Sequence, residues 1–441
     1  MNRIVLHTIG VTVFAVVMLT AATAGAEKIT AIEVEGNTKT TADTVILIAD
    51  LRVGDEFALD QVSAVQAKLV NSGLFKNAEV SYTAFNGGLK IILKAEDKHS
   101  WVVAPTYYNQ PTNQGGGIGF GENNLFGENK KLLVYGQVAT GDSFFVGGYI
   151  DPSIKNTSFN WQADVYLLSK RTIEYAPPAE FRDDPQPVRE SRLNYLNLGI
   201  RTGVKLGPVA FSGRLRGARV YYGDTKMVAT DEPTMAPGLE GYDVSGEVRL
   251  EYDTRANWYG ISNGNRYRLS GERSLVALGS EFDYWGATLS FERARKYFAR
   301  HNLVIKGSAA YGRDLPFHAE LSAGGTNLRG YKNEQLRGNL RLIGSLEYSV
   351  PTVEIKGVAL RLLAFADSSY TAFYDTADNT AVRNYLPNHE VKGLAPFKNT
   401  VGLGTRLFVR QIVLPLLGLD VGYGIERNSW EVYLAIGLTD V

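Results

Sequence analysis

Apolar and polar residues alternate along this chain with two different periods. From Ile29 to about Lys98 the pattern is mixed. "ITAIEVEG" alternates as a strand does, while "TADTVILIAD" and "LDQVSAVQAKLVNSG" carry helical spacing. In the second helix Val62, Val65 and Leu69 fall on one face, Asp60 stands at the N-cap position and Gly73 ends the run. "AEVSYTAF", the turn "NGG" and "LKIILKAE" then predict a hairpin. The predicted order is strand, helix, helix, strand, strand, which is an α+β domain.

Beyond Lys98 the helical period disappears and strict alternation takes over. In "DVSGEVRLEYDTR", Val244, Val248, Leu250 and Tyr252 share one face, and Asp243, Glu247, Arg249, Glu251, Asp253 and Arg255 share the other. One such strand also suits a soluble sandwich. The scheme repeats, however, in "RLIGSLEYSV" (Leu342, Leu346, Tyr348 and Val350 opposite Arg341, Ser345 and Glu347) and in "WEVYLAIGL" (Val432, Leu434, Ile436 and Leu438). The remaining chain divides into about sixteen strands of roughly ten residues, the length that crosses a bilayer at a tilt. Connections alternate between short ones such as "LGP" and "NG" and long polar ones such as "KRTIEYAPPAEFRDDPQPVRES", as in outer-membrane barrels. Trp101, Trp258 and Trp430 near strand ends suit interfacial girdles.

The N-terminus bears on compartment. "MNRIVLHTIGVTVFAVVMLTAATAGAEK" has Arg3, an apolar run from Ile9 to Leu19 and the small-residue site Ala24-Gly25-Ala26. This is the layout of a secretory signal peptide over residues 1–26, with Glu27 as the mature start. A membrane anchor requires about 20 apolar residues, more than this run supplies. Lysine and arginine together number 46, matching 46 aspartates and glutamates. That balance removes the basic footprint of a nucleic-acid binder. The 441 residues include no cysteine, which rules out disulfides, thiolate metal sites and a cysteine nucleophile.

The strand order of the first domain, with "IEVEGNTKTTADTV", "LRVGDEF" and "LVNSGLFKNAEV", resembles one POTRA domain of the BamA/TamA-type outer-membrane assembly and translocation family. Later segments carry the same resemblance to the bacterial surface antigen barrel. "GIGFGENNLFGENKKL" is similar to the family's second strand and turn, "EYDTRANWYGISNG" to its eighth, and "VGLGTRLFVRQIVLPLLGLDVGYGI" to its fourteenth and fifteenth. The resemblance implies a POTRA domain over residues 27–98 in the periplasm and a transmembrane barrel over 99–441 in the bacterial outer membrane. It also implies clients received by strand addition to a POTRA sheet edge. Three departures stand out: there is one POTRA domain, Ser369 replaces a glycine of the thirteenth-strand motif, and the chain ends "GLTDV" without a terminal aromatic.

A candidate functional site lies in "GGTNLRGYKNEQLRGN", in the sixth long loop between "IKGSAAYGRD" and "LRLIGSLEYS". Alone, Arg329-Gly330-Tyr331 reads as a solvated loop tip, whose arginine contributes under ~1 kcal/mol. Leu328, Arg329, Gly330 and Tyr331 match the family's loop motif, and "LAFADSS" resembles its Phe-x-Asp-x-Gly strand motif, with Phe365 and Asp367 on one face. The resemblance implies that the loop folds back into the barrel and that Arg329 pairs with Asp367, with Glu347 as the reserve partner. Val432, Leu434, Ile436 and Gly437 belong to the last strand, which by resemblance meets the first at a weak seam that opens toward lipid.

Other motifs point elsewhere. Gly260-Ile261-Ser262-Asn263-Gly264 satisfies the hydrolase pattern G-x-S-x-G, but strands flank it and "NGN" reads as a hairpin turn. "GGGIGFG" lacks the βαβ setting of a nucleotide fingerprint. His7, His99, His301, His318 and His389 show no metal-ligand spacing. Glu251 and Asp253 share their face with Arg249 and Arg255, which suits an ion network in a lumen. The expectation is a protein without catalytic residues, metal or cofactor, which inserts clients into the outer membrane through the seam. Its partners would be outer-membrane lipids, an unfolded barrel client or secreted protein, and periplasmic accessory proteins, with no nucleic acid. A two-partner secretion pore is the runner-up; against it, the mature chain enters its first domain with no room for a plug helix. A passive diffusion channel is the third reading.

Overall fold

A computed structural model describes residues 26–441, apart from 259, 299, 356, 375–381, 387–393, 410–415 and 437–441. The expected signal peptide, His7, His389 and Gly437 therefore lie outside the described residues, apart from Ala26. The chain divides into two compact units, at Lys98 and His99.

In the first unit, β1 (Glu27–Glu35), α1 (Ala42–Ala49), β2 (Glu56–Phe57), α2 (Val62–Asn71), β3 (Phe75–Phe85) and β4 (Gly88–Asp97) form a four-stranded sheet in the order β2-β1-β4-β3 with two helices. The Thr41 hydroxyl caps α1 by accepting from the Thr44 amide at 3.2 Å. Val65 and Leu69 of α2 join Val45, Ile91 and Leu93 in the core, with Val62 packed against them. Asp60 does not cap α2: it sits inside a 3-10 turn, Leu59–Gln61, that leads into the helix. That turn is closed instead by the Gln61 side chain, which accepts from the Ala58 amide. The hairpin reverses at Asn86 and Gly87, both at positive φ, the geometry of a two-residue type I′ turn.

Asp97 organises the loop between β1 and α1. Its carboxylate accepts from the amides of Thr38 (2.6 Å), Lys39 (2.6 Å) and Thr40 (3.2 Å) and from both threonine hydroxyls. Burial works against the charge, but these hydrogen bonds outweigh it and hold the carboxyl below the usual aspartate range. A folded-state pKa below the unfolded one stabilises the fold above about pH 4, the ordinary aspartate value, and the contribution is lost as pH falls through the lower folded value. Asp97→Asn is therefore expected to speed hydrogen exchange of the Thr38–Thr40 amides at neutral pH. The difference from the unmodified protein should shrink on acidification; a difference independent of pH would contradict this account.

The second unit is a closed antiparallel barrel. Its strands are β5 (Trp101–Gln110), β6 (Asn113–Leu125), β7 (Lys130–Ala139), β8 (Asp142–Asp151), β9 (Phe159–Tyr175), β10 (Pro187–Leu206), β11 (Val209–Met227) and β12 (Gly241–Asp253). After the three-residue β13 (Ala256–Trp258) follow β14 (Ile261–Ser274), β15 (Trp285–Tyr297) and β16 (His301–Arg313). The short β17 (Leu321–Ala323) and β18 (Leu336–Gly338) pair with each other, and β19 (Leu340–Ile355), β20 (Val358–Ala372), β21 (Lys398–Val409), β22 (Leu417–Gly424) and β23 (Ser429–Ile436) complete the wall. Leaving out β13, which pairs with β14, sixteen strands close the cylinder among the described residues.

The two faces separate as the alternation requires. Val248, Leu250 and Tyr252 of β12 are exposed on the outside, as are Trp101 and Trp430. Inside, Glu247 pairs with Arg201 (2.8 Å) and Arg249 (2.7 Å), Arg268 with Glu251 (2.7 Å), and Arg255 with Asp253 (2.9 Å) and Glu292 (2.7 Å). The lumen wall is thus charge-paired, which keeps its polar groups satisfied where an outward placement would leave them bare.

Three sequence expectations need correction. "NGN" is not the turn: Asn263 and Gly264 lie within β14, and the chain reverses between Trp258 and Ile261. Ser262 is accordingly set in a strand ladder, its backbone bonded to Asn302, and not on a strand-to-helix elbow. The end of the barrel where β5 begins is here called the near end. Far-end connections are not uniformly long, since Pro111–Thr112 and Thr140–Gly141 are two-residue links. Nor are all strands about ten residues: β9, β10 and β11 have 17, 20 and 19, so this part of the wall outruns the others.

Candidate functional site

The site is built where the segment 314–339 turns back into the barrel. Its tip carries Leu328, Arg329, Gly330 and Tyr331, and Leu328 and Tyr331 are fully buried with Ala323 and Leu336. This small apolar cluster holds the tip by its own packing, so the arginine is presented from a fixed backbone and not from a mobile one.

Arg329 is 2 % exposed. Its Nε and Nη2 donate to the two oxygens of Asp367 on β20, at 2.9 and 2.7 Å, a bidentate fork, and its own amide donates to the same carboxylate at 3.2 Å. Nη1 lies 2.8 Å from Glu347 on β19 and donates to Asp420 on β22 at 3.1 Å. The guanidinium stacks 3.6 Å above the Phe365 ring, which fixes its plane. Asp367 is further held by Ser345 (2.7 Å), and Asp420 by Arg406 (2.6 and 2.9 Å). Glu347 is therefore a partner alongside Asp367, not a substitute for it. Ser369, the departure from the strand motif, is buried and bonded to Thr371 at 2.8 Å.

Two features here were not read from the sequence. Asp420 is one. The other is a floor of glycines on β21 and β22. A Cβ on Gly422 would lie 2.7 Å from the carbonyl carbon and oxygen of Arg329, and one on Gly424 2.7 Å from the Gly330 oxygen. One on Gly402 would strike the Phe365 ring at 2.2 Å, and one on Gly404 the Asp420 carboxylate at 1.9 Å. Gly330 itself has φ +112°, a conformation that favours glycine. The loop backbone thus lies directly on the wall backbone. The spacing "VGLG" and "GLDVGYG" is the sequence signal of this floor, legible only once a loop is known to lie on it.

The tip also reaches the closing seam. The Tyr433 hydroxyl on β23 accepts from the Gly330 amide (2.9 Å) and donates to the Tyr331 carbonyl (2.7 Å). On the opposite side of the seam, Asn333 donates to Gln110 at the far end of β5 (2.8 Å). Val432, Leu434 and Ile436 lie on β23, which pairs with β22 along eight residues. Its described pairing with β5 covers three, Leu434–Ile436 against Tyr107–Asn109.

Loops meet across the far end. Arg383 bridges Glu174 of β9 (2.7 Å) and Glu320 (2.6 Å), while Arg337 joins Glu320 (3.5 Å) to Glu334 (2.8 Å), which also pairs with Lys170. The guanidinium groups of Arg337 and Arg383 stack against Phe317, at 4.1 and 4.8 Å. Of the histidines, His318 proves to be buried, with Nε2 3.0 Å from Asp243. Among the described residues no group of three or more histidines and carboxylates is placed to hold a metal.

A barrel with an apolar exterior, an ion-paired interior and a loop bound against its inner wall is a transmembrane protein of the bacterial outer membrane. Residues 124–428, well over half of the chain, match the Omp85 superfamily domain, and the chain belongs to that superfamily. Membership makes it a protein of outer-membrane insertion or translocation in the broad sense. Its fold is similar to that of BamA from Haemophilus ducreyi lacking POTRA domains 1-3, with a TM-score of 0.64 at 15% identity over 93% of this chain and 84% of that one. It is also similar to CdiB from Acinetobacter baumannii, with a TM-score of 0.62 at 14% identity over 94% and 74%. CdiB from Escherichia coli gives 0.62 and 14% over 94% and 77%. No curated protein matches the sequence.

Proposed function

We propose that this protein is an outer-membrane assembly factor whose clients arrive through the N-terminal unit, acting as a periplasmic POTRA domain, and enter the membrane at the seam between β23 and β5. The observation that carries this reading is the loop tip that spans the seam: Tyr433 on one edge and Gln110 on the other are both bonded to the same loop. Where the end strands part, they present polar backbone that a client strand satisfies on pairing, and in hydrocarbon each unpaired group costs several kcal/mol. Arg329 acts as the latch that keeps the loop seated on Asp367. Lipid surrounds the barrel, and periplasmic accessory proteins present the client.

The ion network across the far end favours a gated protein over a steady open channel. The likeness to CdiB keeps secretion of a partner protein as the second reading. Reconstitution into vesicles separates the three. Assembly requires that an unfolded barrel client become protease-resistant in the vesicle wall faster with the protein than without it. Transfer of a soluble client into the vesicle interior would replace assembly by secretion, and a steady conductance without either would replace both by a channel.

A further inference from the structure

The first barrel strand carries a proline at its midpoint, Pro105. Which edge of β5 the proline nitrogen faces follows from its neighbours. A Cβ built on Gly116 of β6 lies 3.1 Å from the Thr106 carbonyl oxygen, and one on Gly119 lies 3.9 Å from that of Ala104. The carbonyls of Ala104 and Thr106 therefore point at β6. Successive residues of a strand present their N–H and C=O to opposite edges, so Val103, Pro105, Tyr107 and Asn109 face the seam. Tyr107 and Asn109 are the residues that stand opposite Ile436 and Leu434 there. Two residues further along the same edge, Pro105 has a carbonyl to offer and no N–H.

β5 is also held from behind. β6 is bare on its inner face, where Gly115, Gly117, Gly119 and Gly121 oppose Tyr108, Thr106, Ala104 and Val102. The Tyr135 side chain of β7 crosses this bare stretch, within 3.2 Å of a Cβ built on Gly119, to reach the Thr106 hydroxyl at 2.7 Å. Gln137 of β7 donates to the Tyr108 hydroxyl, also at 2.7 Å. Two inward side chains of β5, Thr106 beside the proline and Tyr108 two positions beyond it, are thus tied to β7 across β6, which supports the orientation of the strand.

We infer that Pro105 interrupts the hydrogen-bond ladder that any strand, the chain's own or a client's, forms along the seam edge of β5, and so keeps the seam openable. A strand pairing there is held by Tyr107 and Asn109 and leaves a carbonyl without a donor opposite Pro105, an unfavourable arrangement in hydrocarbon. The consequence for a client, release after templating, rests on the assembly reading; the weakening of the seam does not.

The test is hydrogen exchange on the full chain in detergent micelles, without a client, comparing it with Pro105→Val and Pro105→Ala. Each variant restores one donor. The amides of Tyr107 and Ile436 are expected to exchange at least about five-fold more slowly, the equivalent of one net hydrogen bond of ~1 kcal/mol, with the β7 amides unchanged. Seam amides that exchange as in the unmodified protein would overturn the inference, as would slowing spread evenly over all strands. Failure of both variants to fold would also count against it, because a donor added on the seam edge breaks no hydrogen bond between β5 and β6. Since no client is present, these outcomes are independent of whether the protein inserts or secretes.

Discussion

Arg329→Ala is expected to destabilise the barrel by ~3–5 kcal/mol, the cost of stranding buried charge. The arginine is the shared cation of Asp367, Glu347 and Asp420, and its removal leaves Asp367 without a cation, held by the residue-329 amide and the hydroxyls of Ser345 and Thr400. Asp367→Ala in the Arg329→Ala background is expected to add less than ~1 kcal/mol, because the stranded charge is then gone; a coupling of about 1.5 kcal/mol or more closes the double-mutant cycle. Urea unfolding in micelles measures all four corners. Simple additivity of the two changes would argue against the direct pair. Arg329→Lys should recover only part of the loss, since an ammonium cannot fork onto both Asp367 oxygens or stack flat on Phe365.

Gly422→Ala is expected to expel the loop tip although it touches no charged group. The added Cβ meets two backbone atoms of Arg329 at 2.7 Å, and backbone on both sides leaves neither partner room to swing away. Gly344→Ala, on β19, has nothing within 4 Å of the new Cβ and serves as the matched control. Trypsin reads the outcome directly in the micelle-embedded protein. Cleavage after Arg329 should be slow in the unmodified chain and in Gly344→Ala, where the arginine is buried, and fast in Gly422→Ala. Equal resistance in all three would mean that the loop is not seated on β22 in solution.

Much of this architecture was legible from local pattern. A period of two over some three hundred residues separates oily from charged faces before any pairing is known, so Leu250 outside and Glu251 inside follow from order alone. The pairing of Arg329 with Asp367 came from motif resemblance, and the geometry of the two side chains agrees with it. The helix start after Asp60 was misplaced because a 3-10 turn competes for the same capping residues. "NGN" was misplaced because its glycine, at φ +129°, serves close approach to the Thr254 backbone within a ladder and not a reversal.

What the sequence by itself determined is the division into an α+β unit and a two-faced barrel, since both rest on the period of neighbouring residues. Asp420, 91 positions from Arg329, and Tyr433, 103 positions from Gly330, met the loop only through the register of strands around a closed cylinder. The same register decided that four alternating glycines became a floor and that Pro105 faced the seam. Period is a property of a strand alone, whereas register depends on how every strand is staggered against the next when the sheet closes on itself.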